Sequence, residues 1–375
     1  MSRLVTLNAG SSSLKFAVFE GPPLGRVLSG QVERIGPRAR LRLGAGSRDL
    51  GAVDHVGAVE VALEVAGEGG RPDAVGNRVV HGGPGRDAPA LLDEALLAEL
   101  EALAELAPLH QPHNLAAIRA ARAAFPGGPQ VACFDTAFHR AQGRVAQTFA
   151  LPRHLYDEGI RRYGFHGLSY EAIARRLARD HPALHAGRVV VAHLGAGASV
   201  CGMRGGRSEG TSMGFTALDG LVMGTRCGQI DPGVLIHLMR RGMDADALEA
   251  LLYRESGLAG ISGGTSDMRA LLASDAPEAA EAVAVFLLRL RRELGATAAA
   301  IGGLDALVFT AGIGENSPEV RAGAVEGLGF LGLEIDPAAN AAGAQRISRG
   351  AVPILRLETD EEGVIAEAAL AALAA

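Results

Sequence analysis

The chain has 375 residues and a formal net charge of -6, and this length favours two domains because single cores rarely exceed about 250–300 residues. A hydrophobic content of 48% with 51 glycines is typical of a soluble α/β protein, and the negative charge argues against a nucleic-acid partner. No run approaches the roughly 20 apolar residues of a membrane span, no leader pattern opens the sequence, and the scattered cysteines show no metal spacing, so we expect a cytoplasmic protein with no membrane partner.

The first predicted feature is a strand, a Gly-Ser turn and a second strand in LVTLNAGSSSLKFAVFE, residues 4–20. In the P-loop and the dinucleotide fingerprint a helix follows the glycines, whereas here a second strand follows them. Both motifs are therefore excluded, and any phosphate bound here must lie on the turn itself. Lys15 is the single lysine in a chain whose lysine and arginine total is 36. A compact ammonium suits a tight contact with a phosphate, and the alternative is a solvated strand residue.

The next segments predict charged side chains at the ends of strands. NRVVHGG, residues 77–83, puts Arg78 on a strand that ends in glycines, and Asp135 follows a buried strand in ACFDTAFH. A carboxylate in this position can hold a metal-bound substrate, and an Asp cap is the alternative. Between these segments, residues 91–106 predict a scaffold helix with one apolar face.

Two histidines lie beside glycines. YGFHGLSY places His166 before a glycine, and VAHLGAG places His193 at the end of a strand. Such a histidine can be catalytic or can be a hydrogen-bonded core residue, and neither has the spaced partner of a metal site. GRVVVAHLGAGASVCGMRGG, residues 187–206, repeats the order of strand, Gly-rich turn and strand. This weak repeat indicates duplicated α/β domains whose turns each offer backbone N–H groups to a phosphate chain.

A second arginine lies in a nearly uncharged loop, TSMGFTALDGLVMGTRCG, residues 211–228. An arginine in apolar surroundings requires an anion, which for both Arg78 and Arg226 can be an internal carboxylate. Two such arginines together favour a bound oxyanion.

The remaining segments predict further scaffold and a third glycine-rich turn. A long helix is expected from Pro277 to Ala300. ALVFTAGIGENSPEVRAGAV, residues 306–325, predicts a buried strand, a turn, and a helix that Ser317 caps and Pro318 begins. Acidic residues 360–362 open a last helix, which we expect to pack on the first domain; they can also simply stabilise the helix dipole.

These features fit phosphoryl transfer better than covalent hydrolysis. Phosphoryl transfer needs phosphate-binding turns, a divalent cation and positively charged side chains at the transferred group, rather than a protein nucleophile. The segments resemble the acetate kinase family, in the superfamily of acetate and sugar kinases, Hsp70 and actin. The resemblance runs from about Leu4 to Ile365, and the segments that carry it, in the family's order, are NAGSSSLKF, RVVHGG, FDTAFH, YGFHG, TSMGFTALDGLVMGTRCGQIDPG, SDMR and FTAGIGEN.

The resemblance implies an α/β, two-domain actin-like (ribonuclease H-like) fold, with a duplicated βββαβαβα core and a cleft between the domains. One lobe would contain residues 1–148 and 362–375, and the other residues 149–361. It also implies direct in-line transfer of the γ-phosphoryl group of ATP to acetate, giving acetyl phosphate and ADP, with Mg²⁺ or Mn²⁺ as cofactor. The partners implied are acetate, ATP and a second copy of the chain in a homodimer.

The resemblance also implies residue roles. Arg78 and Arg226 would clamp the substrate and the transferred phosphoryl group, and His166 would donate to the transition-state oxygens. The implied catalytic residues are Arg78, Asp135, His166 and Arg226. Those implied for the substrate and its methyl group are Arg78, Val80, Leu109, Phe165 and Ala217. Those implied for ATP are Ser11, Ser13, Lys15, His193, Leu194, Gly195, Ala196, Gly197, Asp267, Met268, Arg269, Gly312, Ile313, Gly314, Glu315 and Asn316. Asn8 and Glu361 are implied at the metal, with help from Asp135.

Five residues depart from the family pattern, among them Leu168 and Tyr170 beside His166, where HGLSY stands in place of the usual HGTSH. Ala217 stands where the family usually has proline, which widens the pocket by about one methylene, worth about 1–3 kcal/mol of discrimination. Ala196 replaces an asparagine in the second turn, and Asp360 replaces an asparagine before Glu361. Acetate is the expected substrate. A kinase for propionate or longer acids and a non-enzymatic ATP-driven switch of the same fold are the alternatives, although a switch has no need of paired arginines beside a methyl-sized pocket.

Overall fold

A computed structural model of the chain describes residues 2–10, 12–108 and 110–374. The strands are β1 (Arg3–Ala9), β2 (Ser13–Glu20), β3 (Gly25–Glu33), β4 (Gly36–Leu43), β5 (Gly46–Val53), β6 (Ala74–Val79), β7 (Ala90–Leu91), β8 (Gln130–Phe134), β9 (Arg188–Leu194), β10 (Ala198–Arg204), β11 (Arg207–Thr211), β12 (Ala306–Thr310) and β13 (Ile354–Arg356). The α-helices are α1 (His55–Gly67), α2 (Glu94–Ala102), α3 (Gln111–Ala124), α4 (Arg144–Gln147), α5 (Arg153–Asp157), α6 (Gly167–Asp180), α7 (Pro182–His185), α8 (Pro232–Arg240), α9 (Ala245–Arg254), α10 (Gly257–Ser262), α11 (Met268–Leu272), α12 (Pro277–Ala300), α13 (Ala311–Asn316), α14 (Pro318–Val325), α15 (Pro337–Ala341) and α16 (Glu361–Ala374).

The chain divides into two compact units. Unit 1 lies within Met1–Arg140, Phe165–Ala172 and Asp360–Ala375, and unit 2 lies within Ala141–Gly164 and Ile173–Thr359. Unit 1 is therefore discontinuous in sequence and includes the start of α6 and all of the described part of α16. Within the described ranges, no helix has both the length and the apolar character that a membrane crossing requires.

Unit 1 is built on a sheet with the strand order β5-β4-β3-β2-β1-β6-β8-β7. The neighbours β1 and β2 are antiparallel, whereas β6 runs parallel to both β1 and β8. Alternate side chains of β1 face opposite ways, so Val5 and Leu7 pack in the core with α1 and α3, while Leu4 packs with α16. Gly76 of β6 allows the close approach of α16, because an added Cβ would lie 2.6 Å from Ile365 Cγ2.

Unit 2 repeats the central strand order of unit 1. Its sheet has the strand order β11-β10-β9-β12-β13. Neighbours among β11, β10 and β9 are antiparallel, whereas β12 runs parallel to both β9 and β13. The corresponding strands of unit 1, β3-β2-β1-β6-β8, have the same order and the same directions. The predicted α/β fold with a duplicated core is therefore confirmed.

Several predicted elements are confirmed, and two differ. The long helix is α12 with the predicted bounds, α16 packs in unit 1, and Ser317 caps α14 by accepting the Val320 N–H at 3.3 Å. The helix expected over residues 91–106 is shorter, because α2 ends at Ala102 and Ala104–Leu106 form a tighter 3-10 turn. The third glycine-rich turn is itself the short helix α13, and β4 and β5 extend the sheet of unit 1 over a segment to which we assigned no structure.

Candidate active site

The carboxyl ends of β1, β6 and β8 position three polar side chains of unit 1. These strands run parallel, so their carboxyl ends lie at one edge of the sheet. Asn8 lies near the end of β1, Arg78 lies near the end of β6, and Asp135 directly follows β8. Side chains from segments far apart in the sequence are thereby brought to one edge.

Arg78 and Asp135 form a buried ion pair. Arg78 Nε and Nη2 donate to the same oxygen, Asp135 Oδ2, at 3.0 and 2.6 Å. Asp135 is 1% exposed, and its second oxygen, Oδ1, has no hydrogen-bond partner among the described residues. Unpaired buried carboxylate oxygens are costly, so this atom is suited to contact a ligand.

Asn8 continues this network to the last helix. Its Oδ1 accepts from Arg78 Nη1 at 3.3 Å, and its Nδ2 donates to Glu361 Oε2 at 2.7 Å and to Glu362 Oε1 at 2.9 Å. Both glutamates lie in the first turn of α16, where the helix dipole favours negative charge. The structure thus joins Asp135, Arg78, Asn8 and Glu361, as a shared site requires, and adds Glu362, to which the sequence analysis gave no site role.

Burial and neighbouring charges shift the pKa values of this network. Burial by itself lowers the pKa of Arg78. The negative charges of the neighbouring carboxylates outweigh this effect and raise the pKa of Arg78 above its ordinary value; they belong to Asp135, Glu361 and Glu362. Burial raises the pKa of Asp135, and the charge of Glu361 adds to that effect, against the opposing charge of Arg78. Arg78 therefore remains a fixed cation at any working pH.

The turn between β1 and β2 lies beside this network. The Gly10 N–H donates to the Ser13 carbonyl at 2.8 Å, and His55 Nε2 lies 3.0 Å from the Gly10 carbonyl oxygen. Lys15 is paired in register with Asn8 on the next strand, and its side chain is exposed. Ser11, which the family resemblance assigns to ATP, lies outside the described residues.

The residues expected around the substrate methyl group are buried in the unit to which each belongs. Val80 and Phe165 lie in unit 1 and Ala217 lies in unit 2, and each is almost fully buried. Leu109 lies outside the described residues. Asn114 Oδ1 accepts the Val80 N–H at 3.0 Å, so the start of α3 holds the Val80 backbone in place.

His139 holds the segment that contains Phe165 and His166. Its Nε2 lies 2.9 Å from the Phe165 carbonyl oxygen, and His166 has a left-handed φ of 59°. A non-glycine residue in this conformation stores strain, which is common at functional sites. Burial lowers the pKa of His139 to about 4, so the ring is neutral at pH 7 and donates to the carbonyl. No local sequence pattern marks His139, because a histidine that supports the backbone of another residue has no signature of its own.

His81, just after the end of β6, is a second neutral histidine beside Phe165. Burial lowers the pKa of His81 to about 4, and its ring lies 5.7 Å from the Phe165 ring. The Gln111 side chain accepts the His81 N–H and donates to the His81 carbonyl, both at 3.1 Å. The HQPHN segment, residues 110–114, therefore supports the backbone of residues 80 and 81.

In unit 2, Arg226 is linked to the position at which the chain departs from the family pattern. Arg226 is 7% exposed, and its Nη1 donates to the Ala217 carbonyl at 2.6 Å. This bond depends on the backbone of Ala217, so the side chain at position 217 can vary while the arginine stays in place.

The second glycine turn joins β9 and β10, as predicted. His193 and Leu194 end β9 and are buried, and the Gly195 N–H donates to the Gly197 carbonyl at 3.0 Å. The Ala196 carbonyl accepts the Gly224 N–H at 3.0 Å, so the turn is fixed against the loop that carries Arg226.

The helix α13 is held at both ends. Glu315 Oε1 accepts from the Ala311 N–H at 2.8 Å, the Thr359 N–H at 3.2 Å and Thr310 Oγ1 at 3.3 Å. The buried Arg321 Nη1 donates to the carbonyls of Gly314 and Glu315, both at 2.9 Å. Ala311 has a left-handed φ of 65°, which these bonds maintain.

The other residues expected at the nucleotide also lie in unit 2. Asp267 caps α11 and accepts from Arg269, whose hydrogen bond lowers the pKa of Asp267. Met268 is buried, and Asn316 Nδ2 donates to the Gly312 carbonyl at 2.8 Å. Among the residues that the structure describes, no group of three or more His, Cys, Asp or Glu side chains is arranged to hold a metal ion by itself.

The chain matches known proteins over nearly its whole length. The model of the Acetokinase family matches residues 3–367. The chain is 50% identical over 390 residues to an acetate kinase of Nitrobacter hamburgensis, covering 100% of this chain and 96% of that protein. It superimposes on a propionate kinase of Francisella tularensis with a TM-score of 0.91 at 34% identity, covering 99% of this chain and 100% of the other. For an acetate kinase of Porphyromonas gingivalis the TM-score is 0.86 at 35% identity, and both chains are covered completely.

Proposed function

This chain belongs to the acetokinase family, and on that premise we propose that it transfers the γ-phosphoryl group of ATP reversibly to acetate, giving acetyl phosphate and ADP. It is a kinase with a carboxylate acceptor. The observation that carries the proposal is the 50% identity to an acetate kinase over the full chain. The alternative of an ATP-driven switch without acyl transfer is therefore set aside.

Propionate is the second candidate substrate. Ala217 in place of the family's usual proline leaves space for an additional methylene, and a propionate kinase is among the similar solved structures. A methylene in an apolar pocket is worth only about 1–3 kcal/mol, so both acids remain substrates of one pocket and differ in rate.

Arg78 is the fixed cation of the proposed mechanism. Asp135 and Asn8 hold its guanidinium through three hydrogen bonds, so it does not have to reorganise as charge develops. Its remaining N–H groups are available to contact the acetate carboxylate and the transferred phosphoryl group. Preorganised donors of this kind stabilise the transition state more than mobile ones.

We propose that Arg226 is the second cation and that His166 donates to the oxygens of the transferred phosphoryl group. Arg226 is held through the Ala217 carbonyl. The left-handed backbone of His166 and the bond from His139 to the preceding carbonyl hold the backbone from which its ring projects. No phosphoenzyme is needed, because the acetate oxygen attacks phosphorus directly.

The donor set at the carboxyl edge of unit 1 fits Mg²⁺. Asp135 Oδ1 is a buried oxygen without a partner in the described part of the chain, and Glu361 adds a second carboxylate. Mg²⁺ prefers oxygen ligands and usually binds through one or two carboxylates, waters and the phosphates of the substrate. We propose that Glu361, Asn8 and Asp135 position the ion, directly or through water. When bound, Mg²⁺ neutralises charge on the phosphates.

For ATP, we propose that its phosphates contact the two glycine turns, including Lys15 and Ser13 in the first and His193 and Gly197 in the second. The adenosine is proposed to contact α13 and the start of α11. Support comes from the anchoring of α13 by Glu315 and Arg321, which fixes the backbone of Gly312 and Ile313.

We also propose that the protein is a cytoplasmic homodimer. The exposure of α8 supports the dimer: none of its residues is buried, and α8 with the residue two before it exposes the apolar side chains of Ile230, Val234, Ile236 and Met239. A helix that leaves apolar side chains exposed on all sides is typical of an interface. Sedimentation of the protein and of Val234→Glu tests this, with a dimer expected for the first and a monomer for the second.

A direct assay tests the proposed reaction. Purified protein is incubated with ATP, Mg²⁺ and a series of acids from formate to butyrate, and the acyl phosphate is trapped with hydroxylamine. We expect hydroxamate with acetate, less with propionate and none without acid. ADP release that is independent of added acid would contradict the proposal, and Arg78→Ala should abolish trapping whereas the surface variant Arg119→Ala should not.

A further inference from the structure

The single lysine of the chain lies in an unusual place. Lys15 is on β2, paired in register with Asn8 of β1 and with Gln31 of β3, and its side chain is exposed. Within the described residues its ammonium group makes no hydrogen bond or ion pair that would occupy it. An unpaired side-chain amino group therefore lies next to the proposed metal and phosphate site.

Lys15 lines a cavity of about 320 Å³ on unit 1 together with two arginines. Arg26 is paired with Asp360 through Nη2, and Arg42 donates from Nη1 to Glu33 at 3.0 Å. Each arginine uses one nitrogen in its pair and both are more than a third exposed, so other N–H groups remain to bind an anion. Ser29 and Gln31 add polar side chains to the same cavity, and Glu362, which accepts a hydrogen bond from Asn8 Nδ2, adds one carboxylate against the three cations. Guanidinium groups bind phosphates well because their paired N–H groups match the phosphate oxygens.

We propose that this cavity binds acyl phosphates and that Lys15 is acylated there by the acyl phosphate that the protein itself produces. The inference rests on the proposed function, which supplies acetyl phosphate. That molecule combines a phosphate dianion, which the two arginines bind, with an activated carbonyl group, which an amine attacks. A volume of about 320 Å³ holds a molecule of this size.

The chemical step balances without another reactant. The ammonium of Lys15 first gives a proton to solvent, and the amine nitrogen then attacks the carbonyl carbon of acetyl phosphate. An N–C bond forms, the C–O bond to phosphorus breaks, and inorganic phosphate leaves with the bonding electrons. The nitrogen loses its second proton as the amide forms. Neither oxidation nor reduction is involved.

The reaction is specific to Lys15 because of where the phosphate is held. Binding the donor beside one amine converts a bimolecular reaction into one within a complex, which raises its rate. The arginines do not compete, since they stay protonated and are poor nucleophiles. Acylation removes the charge of the side chain. The proposed phosphate contact of Lys15 is then lost, and accumulation of the product slows its own synthesis.

The test uses synthetic acetyl phosphate on the purified full-length protein, without nucleotide. We expect intact-mass spectrometry to show one added acetyl group, and peptide mapping to place it on Lys15. Phosphoryl transfer by the same samples should fall in proportion to the acetylated fraction. Labelling of the α-amino group of the chain at the same rate as Lys15, or none on Lys15, would overturn the inference.

Matched variants test the role of the cavity. Arg26→Gln combined with Arg42→Gln should slow acetylation of Lys15 by about tenfold, because two phosphate-binding cations are lost. Arg119→Gln removes a cation from α3 that is about as exposed as Arg42 and pairs with Glu101, and it should leave the labelling rate unchanged. Equal labelling in all three proteins would contradict the proposal. Thermal unfolding of each variant shows that the comparison is between folded proteins.

The proposed phosphoryl transfer and the proposed acetylation of Lys15 can be contradicted independently of each other. Labelling by added acetyl phosphate requires no turnover, so a protein that is acetylated but does not phosphorylate acetate contradicts only the proposed function. A protein that phosphorylates acetate but remains unlabelled at Lys15 contradicts only this inference.

Discussion

Arg78 donates two hydrogen bonds to a single oxygen of Asp135, Oδ2, at 3.0 and 2.6 Å, while Oδ1 remains buried without a hydrogen-bond partner among the described residues. A carboxylate whose only task was to neutralise the arginine would gain by using both oxygens, as bidentate pairs do. The one-sided arrangement keeps one oxygen for a ligand and ties the position of Arg78 to that ligand.

Replacing Asp135 by asparagine is expected to reduce both activity and stability. The variant leaves the buried guanidinium without its main counter-charge, which should lower the free energy of unfolding by about 3 kcal/mol. It should also lower kcat by about 100-fold or more, because a preorganised group is lost. Trapping of the acyl phosphate and denaturant unfolding measure the two effects.

Asp157→Asn provides the matched control. Asp157 pairs with Arg144 at the surface of unit 2 at 3.4 Å, and the two side chains are 61% and 54% exposed. Exposed pairs contribute little, so unfolding and kcat should stay near those of the unmodified protein. If Asp135→Asn behaves like Asp157→Asn, the buried pair has no role in the reaction.

Stability should fall as the pH is lowered below 6.5, because two buried histidines resist protonation. Burial lowers the pKa values of His81 and His139 to about 4 each. The unfolded chain takes up these protons near the ordinary value of 6.5, so the stabilisation is fully present above pH 6.5 and is lost as the pH falls to about 4. The slope is about 1.4 kcal/mol per pH unit for each histidine. Denaturant unfolding between pH 7.5 and 4.5 measures it.

His139→Gln tests the assignment of this slope. The amide can still donate to the Phe165 carbonyl but cannot take up a proton, so the pH slope should decrease while folding at neutral pH is retained. His154→Gln, on the exposed α5, serves as the control and should keep the slope. The hydrogen bond from Arg188 lowers the pKa of Asp305 to about 2. The contribution of Asp305 to the free energy of unfolding is therefore lost only below the pH range of these measurements. An unchanged slope in His139→Gln would show that other groups cause it.

Ala217→Pro is expected to narrow the substrate pocket. Arg226 bonds to the backbone carbonyl of residue 217, which proline retains, so the arginine should stay in place. The ratio of kcat/KM for propionate to that for acetate should fall by about tenfold, the effect of one methylene in an apolar pocket. Kinetics with the two acids at saturating ATP measure the ratio. An unchanged ratio, with the KM for ATP also unchanged, would place residue 217 outside the pocket.

Glu315→Ala is expected to weaken ATP binding. The Glu315 carboxylate holds the N–H groups of Ala311 and Thr359, and its removal releases the strained start of α13. We expect the KM for ATP to rise by about tenfold, since leaving these partly buried N–H groups without a partner costs about 1–3 kcal/mol. The KM for acetate should not change.

Glu315→Gln separates positioning from charge. Glutamine keeps an acceptor oxygen for the same N–H groups, so this variant should restore most of the ATP affinity. Glu334→Ala removes a carboxylate from a surface pair with Arg349 and serves as the control. If Glu315→Gln is as impaired as Glu315→Ala, the charge of Glu315 matters and its role as an anchor is contradicted.

Local patterns predicted much of the fold and part of the site. The alternation of LVTLNAGSSSLKFAVFE gave the strands on both sides of the first turn, and Ser317 with Pro318 marked the start of α14. Asp135 could be expected after a strand because a buried run precedes it. In each case the residues that determine the structure are neighbours in the sequence.

The remaining features depend on residues that are far apart in the chain. Glu362 bonds to Asn8 across 354 positions, and His139 supports a carbonyl 26 residues away, so no window of sequence contains both partners. By contrast, the sequence of the hairpin formed by β4 and β5 does contain a local pattern that predicts a strand. In PRARLRL the buried Ala39 and Leu41 alternate with arginines, which is the period of a half-exposed strand.

The position of α16 has a consequence for biosynthesis. Its Ile365, Ala366 and Ala369 cover strands made from the first 134 residues, including β1, β6 and β8. During translation those strands emerge long before residues 361–374, so one apolar side of the nascent sheet stays open while all of unit 2 is being made. Chaperones that bind exposed apolar strands therefore have most of the elongation time in which to engage this polypeptide, and ribosomes that stall before residue 361 release a product that cannot close its first core.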